Sequence, residues 1–347
     1  TDLAGREVTL AAPAEKIMLG EGRFIAALGI LEQDDPTQLV AGMLNEFQQF
    51  DPSGYAFYAK HHPAIAQVPV FGQASEHTVN LEKIVTLQPD AAVFGLEGHG
   101  PGARSRKVID VLEAAGIPVV FIDFRQEPLL NTARSIEVLG KLLGRDAEAA
   151  AFTAFYETEL AKVSNRLAAY SGPKPSVLLE AHVGLREECC FTMSNGMMGR
   201  FIEAAGGANI ARPLLPGAAG MLSLEFVLAS QPDIYIGTAI GATGPSAEES
   251  GRIVLGAGAA EDVARASLRR ALQRPGLEAL EAAAPGRAFA IWHHFYNSPL
   301  NVYAVQVMAK WLHPQTFAEL DPEATLAELF ARFQAVPLDG RYAIDLQ

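Results

Sequence analysis

Glu180, His182, His293 and His294 are residue types from which a metal-assisted hydrolase can be built, with imidazoles to hold an ion and a carboxylate to move a proton. Their spacing matches no catalytic signature. The chain has no H-E-x-x-H, no G-x-S-x-G and no Walker A motif. "GHGPG" at 98–102 is rich in glycine but lacks the spacing of a dinucleotide loop, and it reads as a mobile loop at a strand end. Scattered histidines without spacing favour binding over catalysis, so the chain is not expected to be an enzyme.

A different constellation follows from where α/β sheets take their ligands, beyond the carboxyl ends of the strands. The strand ends in the first half carry Arg23 and Phe24, Gln73, His99 and Arg125. Those in the second half carry His182, Arg186, His293, His294 and Tyr296. A proline-broken aromatic segment adds Tyr55 and Tyr58 as walls of a pocket. Each has a plainer role. Arg23 can pair with a carboxylate or lay its stem on apolar surface. Tyr and Phe are core residues by default. His61 and His62 read as solvated. Alternation along a strand sends one of His293 and His294 inward and the other outward. Met193, Met197 and Met198 read as flexible packing and not as copper ligands.

The elements that carry these residues are written twice. "NLEKIVTLQPDAAVF" (Asn80 to Phe94) and "SLEFVLASQPDIYIG" (Ser223 to Gly237) share Leu-Glu, a five-residue spacer, Gln-Pro-Asp and an apolar run. Asn80 and Ser223 are helix N-caps, Glu82 and Glu225 fall in the first turn where the helix dipole favours a carboxylate, and Pro89 and Pro232 stop the helix. A buried strand follows each time. "KIMLGEG" and "SVLLEAH" read as matching first strands. "DVLEAAGIPVVFID" and "LEALEAAAPGRAFAIW" read as matching helix–strand pairs. The pattern is α/β with mainly parallel sheets. Between the two copies Gly144 ends one helix, and a second runs from Asp146 to about Tyr170. At about 1.5 Å per residue it spans ~36 Å, long enough to bridge two small domains stiffly.

Composition narrows the function. The chain has 347 residues, 49% of them hydrophobic, and a net charge of −13. That length suggests two domains, and the acidic surface repels phosphate backbones, so no nucleic-acid partner is expected. No apolar run approaches the roughly 18 residues that cross a bilayer. The opening "TDLAGREVTL" has neither a basic stretch nor an apolar one, so any signal peptide is expected to have been removed already. The only two cysteines, Cys189 and Cys190, are neighbours. Ring strain argues against their pairing, so they read as one buried and one half-buried thiol, without a metal or redox role.

The order and spacing of "DLAGREVTLAAPAEKIMLG", "NLEKIVTLQPDAAVF", "LEAAGIPVVFID", "LGKLLGR", "FIEAAGGANIA" and "SLEFVLASQPDIYIG" resemble the periplasmic substrate-binding proteins of ABC importers for ferric siderophores, haem and cobalamin, over nearly the whole chain. "WHHFYNSPLNVYAVQVMAKWLHPQTF" is similar to iron-compound binding members. The resemblance implies two α/β lobes joined by one long α-helix, with a ligand cleft between them. Residues 1–125 and 171–347 would be the lobes and 126–170 the connecting helices. It implies a periplasmic monomer whose Glu82 and Glu225 dock onto the arginines of a membrane permease. A helical hinge implies only small lobe closure.

The implied ligand is a ferric siderophore. Its iron is wrapped by the chelator's own oxygens, so no protein metal ligand and no intrinsic cofactor are expected. Such a complex is anionic, bulky and partly aromatic. Arg23, Arg125 and Arg186 with Tyr58, Phe71 and Tyr296 suit it. Haem is the alternative, with Tyr55, Tyr58, His99 or His294 as axial ligand. Cobalamin is a further one, in an aromatic site with fewer charges.

Overall fold

The computed structural model describes residues 1–185, 189–240 and 251–346. The chain divides into two compact units. The first holds Thr1–Glu157, Asn297–Pro299 and Ala327–Pro337, and the second Thr158–Tyr296, Leu300–Leu326 and Leu338–Gln347.

The first unit is built on a parallel sheet of β1 (Ile17–Leu19), β2 (Val40–Met43), β3 (Ala91–Gly95) and β4 (Val119–Ile122), in the order β2-β1-β3-β4. Helices α1 (Ile25–Leu31), α2 (Glu46–Phe50), α3 (Pro52–His61), α4 (Leu81–Leu87), α5 (Arg106–Ala114) and α6 (Pro128–Leu143) surround it. Met18, Phe71, Ile84, Phe94, Leu112 and Phe121 belong to its core cluster. Strands buried on both faces are continuously apolar, as "AAVFG" and "VVFI" are. Helix α6 ends on Gly144 at φ +65°, where a side chain would be strained. Helix α7 (Asp146–Ala168) follows, and the division between the units falls within it.

The second unit contains β5 (Ser176–Glu180), β6 (Phe191–Met193), β7 (Ala208–Asn209), β8 (Ala219–Met221), β9 (Ile234–Ala239), β10 (Ala288–Trp292) and β11 (Ala343–Asp345). Its main sheet has the order β11-β10-β9-β5-β7 and is parallel except for the β10–β11 pair. The strands β6 and β8 form a separate antiparallel pair. Among the described residues its helices are α8 (Met198–Ala204), α9 (Leu224–Ser230), α10 (Glu261–Leu272), α11 (Asn301–Leu312) and α12 (Pro322–Phe333), the last running into the 327–337 segment of the first unit. No helix among the described residues is long and apolar enough to cross a membrane.

The repeated sequence has a repeated structure. Asn80 Oδ1 accepts from Lys83 N at 2.9 Å, and Ser223 Oγ accepts from Phe226 N at 3.2 Å. Each short helix ends on a left-handed glutamine, Gln88 at φ 47° and Gln231 at φ 38°. The aspartate after the proline then reaches the start of the neighbouring strand. Asp90 Oδ2 accepts from Lys16 N just before β1, and Asp233 Oδ2 accepts from Ser176 N at the head of β5, both at 2.8 Å. Hence Gln-Pro-Asp is a turn that leaves a helix and aligns two parallel strands, β1 with β3 and β5 with β9.

Two local expectations change. The segment expected as a helix before β10 is two 3-10 turns, Leu277–Ala279 and Glu281–Ala283. Leu277, Leu280 and Ala282 are its buried residues, and such short spacing suits tight turns better than a 3.6-residue period. Cys189 and Cys190 form a disulfide, against the expectation of two thiols. The stretch they occupy leads into β6, where Cys190 is fully buried and its carbonyl accepts from Leu222 N.

Candidate ligand-binding site

In the first unit the carboxyl ends of β1, β3 and β4 bring charged side chains together around Glu21. Arg23 is buried, with Nη2 at 3.0 Å from Glu21 Oε2 and Nε at 3.5 Å from Glu46 Oε1. The carboxylate of Glu46 also accepts from the backbone N–H groups of Gly22 (2.8 Å) and Arg23 (3.1 Å), closing the tight turn Gly22–Phe24. Burial pushes the Glu46 carboxyl up to about 7, opposed by Arg23 and reinforced by Glu21. Asp51, which caps α3 through Gly54 N, is pushed up to about 6 by burial, against the pull of that N–H and of Arg23. Glu21 Oε1 accepts from His99 N at 3.3 Å, and its Oε2 accepts from Asn297 Nδ2 at 2.6 Å.

Arg125 joins the same group. The carboxylate of Asp123 accepts from the N–H groups of Arg125, Gln126 and Glu127 and from Asn131 Nδ2, which shapes the loop that presents Arg125. Gly98 sits at φ +147°. A Cβ there would come within 2.7 Å of Arg125 Nη1 and 2.9 Å of Glu21 Oε1. Only glycine lets that loop close over the arginine and the carboxylate. The ring of His99 packs 5.0 Å from Phe50.

Arg23, His99 and Arg125 are therefore neighbours, as their strand-end positions suggest. The other first-unit candidates lie differently. Phe24 is buried edge-on to Phe124, and Phe71 is inside the core, which removes both rings from a polar strand-end surface. Tyr58 is buried against Phe47, and burial holds its hydroxyl well above the usual range. Tyr55 is half-buried on the same Phe47 ring. Gln73 is exposed and accepts from Asn45 Nδ2 at 3.1 Å. The residues that reasoning from strand ends missed are Glu46 and Asp51. Both are acidic residues at the starts of short helices, a signal that reads as ordinary helix capping.

In the second unit the ends of β5, β9 and β10 carry the histidines. His182 lies at φ 58°, a conformation uncommon outside glycine and asparagine, and it directs its N–H to Thr238 Oγ1 at 3.0 Å. The same oxygen lies 2.7 Å from His293 Nδ1. The rings of His182 and His293 are 4.0 Å apart, and Tyr296 lies 4.8 Å from His293. The His294 ring sits edge-on to Trp292 at 5.2 Å. Alternation does not govern this pair, because His293–Asn297 is a 3-10 turn and not a strand end. Both rings go inside, 2% and 3% exposed. Arg186 lies outside the described residues.

Glu180 does not join the histidines. Its two oxygens meet Arg274 Nη1 at 2.9 Å and Nη2 at 2.5 Å, and Tyr235 donates to it at 2.6 Å. This buried, doubly bonded pair removes the carboxylate that a hydrolase would need. Among the described residues no group of three or more His, Cys, Asp or Glu side chains is placed to hold a metal ion. Met193, Met197 and Met198 are buried packing residues.

Glu82 and Glu225 are both exposed in the first turns of α4 and α9. Neither carboxylate has an ion pair among the described residues.

Comparison with known proteins gives these arrangements a context. The model of a family described as periplasmic binding protein matches residues 55–291. The structure of a TroA-like periplasmic binding protein, FepB, from Veillonella parvula superposes with a TM-score of 0.87 at 28% identity, covering 100% of this chain and 99% of that one. A molybdate-bound periplasmic binding protein, MolA, from Haemophilus influenzae gives 0.73 at 17% identity, over 98% of each chain. A periplasmic heme binding protein from Pseudomonas aeruginosa gives 0.60 at 21%, over 87% of this chain and 94% of that one. A cobalamin-binding protein of Halobacterium salinarum is 27% identical over 185 residues, 53% of this chain. The chain's match spans about half the length of that relative, 47%.

Proposed function

The chain belongs to the periplasmic binding protein family, and from that premise we propose that it captures a bulky metal chelate, a ferric siderophore, and hands it to an ABC permease. The observation that carries this reading is the gathering of polar and aromatic side chains at the carboxyl ends of parallel strands in each unit. Arg125 and His99 do so beside Arg23 in the first, and His182, His293, His294 and Tyr296 in the second. Such ends are where α/β sheets take ligands. Planar guanidinium and ring faces suit a large, partly aromatic, oxygen-rich complex. A chelator that already surrounds its iron needs no ligand from the protein. The exposed first-turn carboxylates Glu82 and Glu225 would meet basic residues of the permease, giving register and steering more than affinity.

A second reading is a cobalamin-type ligand. Arg23 already faces two carboxylates, Glu21 and Glu46, which lowers the positive charge left for an anionic chelate. The relative from Halobacterium salinarum is named for cobalamin binding. Titrating the protein with ferric siderophores, ferric haem and cobalamin, with the fluorescence of Trp292 and Trp311 as readout, separates these. Saturable one-to-one quenching by a ferric siderophore supports the first reading, and quenching by cobalamin alone replaces it with the second. Multiple turnover of a ligand would count against both.

A further inference from the structure

We infer that His62 is a proton-gated clamp: charged, it holds the segment Ala327–Pro337 on the first unit, and neutral, it loosens that hold. This segment belongs to the first unit, although the chain enters it from the second and returns there after it. Three side-chain hydrogen bonds tie it down. Gln33 Nε2 donates to Arg332 O, Gln334 Nε2 donates to Ala26 O at 3.0 Å, and His62 Nε2 lies 2.8 Å from Ala335 O. The fit is close, since a Cβ on Gly29 of α1 would lie 3.3 Å from Ala335 N. Of these three bonds the last alone involves a group that titrates. His62, expected in solvent, is instead buried at the end of α3.

Both neighbours of the ring are acceptors. On one side is the Ala335 carbonyl, which cannot donate. On the other is Asp35, whose Oδ1 lies 3.5 Å from His62 Nδ1. That oxygen already accepts from Thr37 N at 3.0 Å and from Thr37 Oγ1 at 2.5 Å, which fixes the carboxylate in place. A neutral imidazole has one N–H and one lone pair. Whichever tautomer it takes, the lone pair faces an acceptor, and only the imidazolium donates on both sides. The shorter contact keeps its proton. The neutral ring therefore holds Nε2–H on Ala335 and turns a bare Nδ1 to the carboxylate. Proton uptake from solvent at Nδ1 replaces that repulsion with an ion pair, a change that histidine makes between about pH 5 and 8. The other neighbours do not compete for the ring. Helix α1 and the turn Pro63–Gln67 bring no charged side chain, burial keeps Tyr58 of α3 uncharged, Arg332 of the segment pairs with Glu328, and Asp34, Lys60 and His61 are exposed. The clamp is thus tight at the acid end and slackens as pH rises.

Nitrogen-15 NMR of the full chain labelled at histidine reads the ring directly, with His62 identified by its loss in His62→Gln. At pH 5 both ring nitrogens should carry protons, and by pH 8 Nδ1 should have lost its proton while Nε2 keeps one. A neutral ring at pH 5, or a bare Nε2 at pH 8, overturns the inference. Hydrogen exchange of the amides of residues 333–336, referred to free-peptide rates at each pH, reads the hold on the segment. Between pH 8 and pH 5 protection in the unaltered chain should gain about fivefold on that in Asp35→Asn, whose amide oxygen still caps Thr37 without a charge. Glu46 is the same in both proteins, so its own pH dependence cancels from the comparison. His62→Gln, which keeps a donor for Ala335 and cannot be charged, should follow Asp35→Asn. A ratio of protection that stays constant with pH overturns the clamp, even where the ring titrates as stated.

Discussion

Arg23 lies buried against Glu46, its Nε 3.5 Å from the carboxylate and its own backbone N–H donating to that same carboxylate. The arginine that would attract an anionic ligand is thus also the counter-charge of an acidic interior. Burial raises Glu46 to about 7, so between the ordinary carboxylate range and neutrality the folded chain holds a proton that the unfolded chain has released. Stability from this group is therefore lost as pH rises from about 5 to 7. Glu46→Gln, which keeps an acceptor for Gly22 and Arg23, should flatten that decline by about 2–3 kcal/mol. Urea unfolding at pH 5 and pH 7.5 measures it, and identical slopes for both proteins would contradict the assignment.

The Glu180–Arg274 pair predicts a large and purely structural effect. Arg274→Met leaves a buried carboxylate with only the Tyr235 hydroxyl, and breaking such a pair costs about 3–5 kcal/mol. Thermal unfolding should show the loss. Ligand affinity at a temperature where the variant is still folded should be unchanged, because Glu180 is not among the histidines.

The two Gln-Pro-Asp turns should be worth similar amounts. Asp90→Ala and Asp233→Ala each remove a carboxylate that holds the start of a neighbouring strand, at about 1–2 kcal/mol. Hydrogen exchange should report the Asp90 change in β1 and the Asp233 change in β5. Loss of protection confined to α4 or α9 would show instead that the aspartates serve their own helices.

Glu82 and Glu225 give the opposite expectation. Replacing both by Gln removes at most about 0.3–1 kcal/mol of helix-dipole stabilisation each and should leave ligand affinity intact. Uptake by permease-containing vesicles should fall steeply. Full uptake by the double variant would return these carboxylates to a role in the helix start alone.

Much of the fold was legible in the residues. Capping Asn80 and Ser223, proline stops and apolar runs are local signals, and β3 and β9 follow them as expected. Local signals also misled. The run before β10 has helical residues, and it folds as two tight turns that bury Leu277, Leu280 and Ala282. Cys189 and Cys190 were read as thiols from the strain of pairing neighbours, and the fold pairs them. The cluster of polar residues at the strand ends was legible as a set of positions, since strand ends can be counted, but not in its pairings. Arg23 could be placed at the end of β1. That Glu46 would face it depended on where α2 packs.

The chain by itself determined its doubled α/β plan, because periodicity, caps and prolines act within a few residues of one another. Only the tertiary structure decided which carboxylate meets which arginine, that Glu180 leaves the histidines for Arg274, and that Thr238 stands between His182 and His293. Glu21 and Arg23 apart, those partners lie tens to more than ninety residues from one another. Their meeting depends on strand order and on burial, which changes the charge of groups whose identities alone leave that state open.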